Sequence, residues 1–204
     1  MVFLITKTSL GIIGLFRSEY KANFHVREMA KLLSLSHVGL LPHLKLLEEG
    51  HILKSRISGR NRSYSLDFSN SRAKEFLAMS EKAALLNSLE SNLFIRKLYD
   101  ELFMARLDCC FALFGSFASG NQTESSDIDL LAIGAIPDSE KKSLKSFGRL
   151  YKRDIHLTTL SLEEFRTALQ KNNALINEVV KSHVLLHNSE AFLNELWREH
   201  VKGN

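Results

Sequence analysis

The chain has 204 residues, 45% of them hydrophobic and 25% charged, with a formal net charge of +4. That length suits one large domain or two small ones, and two are expected; the balance of residue types excludes a disordered or low-complexity chain. The apolar opening from Met1 to Ile5 lacks a basic start and stops at Thr6 and Lys7. It is too short for a signal peptide or a spanning helix, so a cytoplasmic protein with no membrane partner is expected.

The charge is unevenly placed. Residues 1 to 68 hold ten Lys/Arg against five Asp/Glu, a net +5, and residues 69 to 204 hold seventeen against eighteen, a net −1. The basic excess assigns a polyanion partner to the N-terminal part.

In chain order, Leu10, Ile13 and Phe16 suggest a first helix near 7 to 18. Val26, Met29, Ala30 and Leu33 follow helical spacing, and Ser34-Leu35-Ser36 then makes a short turn. A third helix is expected to run to Glu49, with Leu40, Leu41, Leu44 and Leu47 inward and Gly50 at its C-cap. Pro42 falls inside it, so the helix either starts late, near Leu41, or is kinked. After Gly50 the period becomes two: His51 to Ile57, a turn at Ser58-Gly59-Arg60-Asn61, then Arg62 to Phe68, a β-hairpin with a basic tip.

Three helices and a hairpin in this order, carried by the stretch VREMAKLLSLSHVGLLPHLKLLEEGHILKSRISGRNRSYSL, resemble the winged helix-turn-helix family of DNA-binding domains. The resemblance implies that the third helix enters the major groove of DNA. It sets Ser36, His37, Gly39, His43 and Lys45 on or near the groove face and Arg56, Arg60 and Arg62 in the wing. Three arginines on phosphates would contribute a log-log salt slope of about −2.7 per subunit. A dimerisation or protein-docking module is the other use of the same charges.

From Ser71 to about Arg106 there is no Pro or Gly, and apolar residues recur at mixed helical spacings. Two helices, or one broken near Asn87 to Asn92, are expected, packed on the second domain or forming a homodimer interface. Cys109 to Phe114 reads as a buried strand, which leaves Cys109 and Cys110 as buried thiols rather than a CxxC motif or a disulfide pair.

That strand runs into Phe114-Gly115-Ser116-Phe117-Ala118-Ser119-Gly120, and Ser126-Asp127-Ile128-Asp129-Leu130-Leu131 follows. Gly115 has no side chain, so a triphosphate can approach the backbone, and Ser116 offers a hydroxyl at a helix start, where free amides favour anions. Asp127 and Asp129 stand at i and i+2 of a strand and point to one face, about 6.6 Å apart along the backbone, within reach of a shared Mg²⁺. This combination resembles the minimal nucleotidyltransferases of the DNA polymerase beta superfamily. The resemblance implies Mg²⁺-dependent transfer of a nucleoside monophosphate from an NTP, with ATP the expected substrate, to a hydroxyl acceptor. A HEPN-type toxin protein is one acceptor that it implies.

The family supplies a third carboxylate from a later strand, and here that strand reads Tyr151-Lys152-Arg153-Asp154-Ile155-His156-Leu157. The hydrophobic frame puts His156 at the expected position, with Asp154 two residues earlier on the same face. Three readings stand: Asp154 replaces the ligand through a shifted register; His156 acts as the base; or the domain binds nucleotide as a catalytically weak or inactive transcriptional regulator. The remainder is expected as a strand at 154 to 160, helices at 161 to 171 and 173 to 182, a strand at His183 to His187 and a last helix through Trp197. His183 and His187 have no third metal ligand and are taken as structural.

The expected fold is α/β (α+β) in two domains. A winged helix-turn-helix domain spans 1 to 68, a helical connector 69 to 106, and a nucleotidyltransferase-like mixed sheet with flanking helices 107 to 204.

Overall fold

The computed structural model describes residues 4–58, 61–105 and 108–202. Gly59 and Arg60 at the hairpin tip, and Arg106, lie outside the described residues. The chain divides into two compact units, residues 1–83 with 200–204 and residues 84–199.

In the first unit, α1 (Lys7–Gly14) begins at a reciprocal cap: the Ser9 amide donates to Thr6 Oγ1 at 3.0 Å and the Thr6 amide to Ser9 Oγ at 2.7 Å. The helix is shorter than its sequence pattern suggests. After Gly14 the amides of Leu15, Phe16 and Arg17 reach back only three residues, so the chain tightens into turns that still bury Phe16 and Tyr20.

A short strand, β1 (Phe24–His25), leads into α2 (Val26–Leu32), and a turn with Ser34 in the left-handed region (φ 54°) leads to α3 (His37–Glu49). Ser36 caps α3 by accepting from the Gly39 amide at 3.0 Å. The helix therefore starts at His37, not near Leu41, and Pro42 is inside it, on the exposed side. Leu40, Leu44 and Leu47 are fully buried, but Leu41 is 46% exposed. Leu41 lies one residue off that stripe, and so points to solvent rather than inward. Gly50 is the C-cap in a right-handed conformation, and the left-handed turn falls on His51 (φ 55°).

The hairpin is β2 (Leu53–Ser58) and β3 (Asn61–Leu66), paired antiparallel from Leu53↔Leu66 to Ser58↔Asn61. With β1 it makes a three-stranded sheet in the order β1-β3-β2. Three helices with this sheet are the winged-helix arrangement.

Two helices follow, α4 (Ser71–Ser91) and α5 (Leu93–Met104). The break between them is at Asn92, an extended residue whose side chain accepts from the amides of Phe94 and Ile95 and so starts a new helix.

The second unit is built on β4 (Cys110–Phe114), β5 (Ile128–Ile133), β6 (Ile155–Leu160) and β7 (His183–His187), in the order β6-β5-β4-β7. β4 is antiparallel to β5 and β7, and β5 is parallel to β6, giving a mixed sheet. The flanking helices are α6 (Gly115–Ser119), α7 (Asp138–Leu150), α8 (Leu162–Gln170), α9 (Ala174–Lys181) and α10 (Ser189–Lys202). Every residue of β4 is buried, and Leu98 and Leu102 of α5 join Phe111, Leu113 and Leu130 in the core. Cys109 and Cys110 are buried, and burial pushes the Cys109 thiol up to about 11.

Candidate active site

The site lies where three strands align their ends. Phe114 at the end of β4 pairs with Asp129 of β5, and Asp129 pairs with His156 of β6. Strand pairing thus sets the Gly115-Ser116 turn on one side of Asp129 and the His156 imidazole on the other. Asp127 immediately precedes β5. Ile128 between the two aspartates is fully buried, and that alternation turns both carboxylates outward.

Gly115 has φ +67°, and a Cβ built on it would lie 2.5 Å from Asp129 Oδ2. The missing side chain therefore makes room for the Asp129 carboxylate, a role additional to any close approach of a phosphate. α6 is only five residues long and ends at Gly120 with φ +74°. A single turn carries little macrodipole, so what it offers an anion is its first amides and the Ser116 hydroxyl.

His156 bridges the aspartates: Nδ1 is 3.4 Å from Asp129 Oδ1 and Nε2 is 4.0 Å from Asp127 Oδ2. The three side chains are 49%, 32% and 63% exposed in the order Asp127, Asp129, His156, so a solvent-borne substrate reaches all of them. Asp154 lies just before β6. Its carbonyl accepts from the Ile128 amide at 2.9 Å, and its side chain lines a neighbouring cavity of about 410 Å³ with Asp127, Arg149 and Lys152.

Arg153 joins two parts of this site, and nothing in its sequence context marks it. Its Nη1 donates to the carbonyls of Thr123 at 3.1 Å and Ser126 at 2.7 Å, and its guanidinium stands 5.0 Å from the Phe117 ring centre. It ties the loop that carries Asp127 to the helix that carries Ser116. Gly148 permits this, because a Cβ there would meet the Arg153 carbonyl at 2.6 Å. In sequence, one arginine in a basic loop looks the same as a solvated charge.

Among the described residues no group of three or more His, Cys, Asp or Glu side chains is arranged to hold a metal ion. Mg²⁺ is commonly held by one or two carboxylates plus substrate phosphates, and Asp127 and Asp129 fit that donor set better than an imidazole does. His183 and His187 belong to the framework, their Nδ1 atoms hydrogen-bonding to the Val179 and Cys109 carbonyls at 3.0 and 3.1 Å.

In the first unit the DNA-facing candidates separate into two groups. Ser36 is spent on the α3 cap, His43 Nδ1 is 3.3 Å from Thr6 Oγ1, and Arg62 makes a two-pronged pair with Glu48 at 2.9 and 3.0 Å. His37, Lys45 and Arg56 remain exposed, Lys45 with a loose contact to Glu49 at 3.7 Å. His37 shares a cavity of about 480 Å³ with His25 and Arg27, neither of which the sequence pattern singled out.

No curated protein matches the chain. A solved structure, reduced HlyU from Vibrio cholerae N16961, is similar to part of it, at 24% identity over 37% of this chain and 72% of that one, with a TM-score of 0.31. No helix among the described residues is long and apolar enough to cross a membrane. The family described as "Nucleotidyltransferase domain" matches residues 101–202, which is half of the chain and contains Gly115, Ser116, Asp127, Asp129 and His156, and the chain belongs to that family.

Proposed function

We propose that the chain transfers a nucleoside monophosphate from an NTP, ATP first among them, to a hydroxyl acceptor in a Mg²⁺-dependent reaction. The observation that carries this is the row Phe114, Asp129 and His156 across three strands, with Gly115 left bare against the Asp129 carboxylate. Asp127 and Asp129 are the residues that hold the metal, and Gly115 and Ser116 those that receive the phosphates. When bound, the metal neutralises the triphosphate and the leaving pyrophosphate.

The acceptor oxygen forms a bond to the α-phosphorus while the bond to pyrophosphate breaks. His156 takes the hydroxyl proton, and the adjacent Asp129 orients its ring and stabilises the imidazolium that results. Asp154, on the cavity beside Asp127, is assigned to the approach of the acceptor rather than to the proton. A HEPN-type toxin protein is one acceptor consistent with the family resemblance.

The winged-helix unit is assigned to DNA, with His37 and Lys45 exposed on α3 and Arg56 exposed in the wing. A homodimer would present two such units. The second reading, a catalytically weak or inactive regulator that binds nucleotide, is favoured by one observation: a neutral or cationic imidazole occupies the place of a third carboxylate. Incubating the protein with labelled ATP, Mg²⁺ and cell lysate separates the two. Transfer is supported by an acceptor labelled by wild type and not by Asp127→Ala/Asp129→Ala; equal labelling by both proteins supports the second reading.

A further inference from the structure

The sheet of the winged-helix unit carries a basic cavity on the face turned away from α3. Pairing aligns His25, Ser63 and Arg56 in one row across three strands, and Ser65 with Lys54 in the next, where Asn23 continues the line of β1. Alternation buries Tyr64 and Leu66 on the side where Ser55 donates to Glu48 of α3. Ser63 and Ser65 face the other way, between Lys54 and Arg56 on one edge strand and Asn23 and His25 on the opposite edge.

A cavity of about 530 Å³ opens there. Lys21, Lys54 and Arg56 supply its cations, Asn23 and Ser65 neutral hydrogen-bonding groups, and Phe68 an aromatic wall; no acidic residue is among the described residues that line it. All three cations are exposed, and none is in an ion pair among the described residues. Like charges gathered around small serines repel one another until an anion lies between them, and the serines leave the space for it. In Arg62 the same sheet has an arginine that is neutralised by Glu48. The open cations on the other face are therefore a local feature rather than a general property of the hairpin.

We infer that this face binds the phosphate of a nucleotide, a nucleoside triphosphate being the occupant that the cavity volume and the Phe68 wall suit. A cavity of a few hundred Å³ holds one nucleotide, and ammonium and guanidinium groups recognise phosphate by charge-assisted hydrogen bonds. The site is separate from Asp127 and Asp129 and does not depend on transfer there. The same phosphate chemistry is also available from the backbone of a nucleic acid.

The test uses the full chain in two arms without divalent cation: equilibrium dialysis with labelled ATP, and fluorescence anisotropy with a short labelled duplex. In the ATP arm Lys21→Gln/Lys54→Gln should weaken binding by about a hundredfold, about tenfold for each lost charge-assisted contact. Lys171→Gln, which removes an exposed charge at the end of α8 and touches neither site, should leave that binding as in wild type. A fall confined to the duplex arm assigns the phosphate to nucleic acid in place of a free nucleotide. Wild-type affinity for both ligands in the double variant overturns the inference. So does wild-type ATP binding that does not change with added salt, a measurement that needs no variant.

Discussion

Gly115 is where a single atom decides the site. A methyl group at φ +67° would strain the backbone by about 1 to 3 kcal/mol and press on Asp129 Oδ2. Gly115→Ala is expected to lower thermal stability modestly and transfer far more, by about a hundredfold or beyond, because misplacing a catalytic group by about 1 Å is that costly. A steady-state assay beside a melting curve separates the two losses. His156 contributes at a different step. His156→Ala is expected to lower the rate by about 10² to 10⁴, the usual worth of a positioned base, with little change in nucleotide affinity. His156→Asp, which supplies the third carboxylate, is expected to recover part of that rate. Cys109, with its thiol pushed up to about 11, is expected to stay protonated at neutral pH. Native protein should therefore leave a thiol reagent unconsumed until it is denatured.

At the level of elements, local chemistry decides where each segment starts and stops. A break near Asn87 to Asn92 was legible in the sequence; it falls on Asn92, whose side chain accepts from the first free N–H groups of the new helix at 3.0 and 3.1 Å. The two-residue strand β1 was not legible, since two residues show no period, and its pairing with β3 depends on a partner forty positions away, at Phe24↔Tyr64. Helix α7 was passed over for a related reason: it buries only Leu144, Phe147 and Gly148, too narrow a stripe to stand out among its charges. Pro42 was legible as a conflict, but the structure keeps the helix running through it. Pro42→Ala restores an N–H toward Val38 and is expected to raise the melting temperature. The gain of roughly 3 kcal/mol in the helix outweighs about 1 kcal/mol of lost rigidity in the unfolded chain.

Helix α8 carries a pH dependence of its own. The Ser161 amide, donating to Glu164 at 2.7 Å, together with the Ser161 hydroxyl, holds the Glu164 carboxyl below the usual carboxylate range. A depressed folded value means that the contribution is present above the ordinary carboxylate range and is lost as pH falls through the folded value. Hydrogen exchange at the start of α8 should therefore quicken in acid, and Glu164→Gln should remove that pH dependence. Farther along, Glu195 is 3% exposed and is held by Arg166 at 2.8 Å and Arg198 at 3.0 Å. Arg166 and Arg198 are 38% and 49% exposed, so water solvates the guanidinium groups that Glu195→Leu leaves behind, and the expected cost in a denaturant titration is about 1 kcal/mol or less.

Across the whole molecule, the sequence split its charge between a basic N-terminal part and a nearly neutral remainder, and each of the two units has its own cavities and chemistry. That Asp127 and Asp129 point to one face could be read from their spacing, because strand alternation fixes their direction, while their pairing with Gly115 and Ser116 comes from the family resemblance. The contact of His156 with both aspartates could not, since it needs the parallel pairing of β5 with β6. The tie from Arg62 to Glu48 was also invisible in sequence, and it reduces the number of wing charges free to meet a phosphate backbone. Apart from Arg60, DNA binding should accordingly show a smaller salt slope than about −2.7 per subunit, with Arg62→Ala lowering stability more than affinity.

The central claim is that nucleotidyl transfer occurs where Asp127, Asp129 and His156 meet. Transfer of label from α-labelled ATP to an acceptor, measured for wild type and Asp129→Asn at equal protein and Mg²⁺, tests it most directly. Wild type is expected to give a labelled product and the variant to lose about a thousandfold or more, the rate equivalent of the several kcal/mol of charge stabilisation that a bound metal supplies. Equal labelling by the two proteins would contradict it.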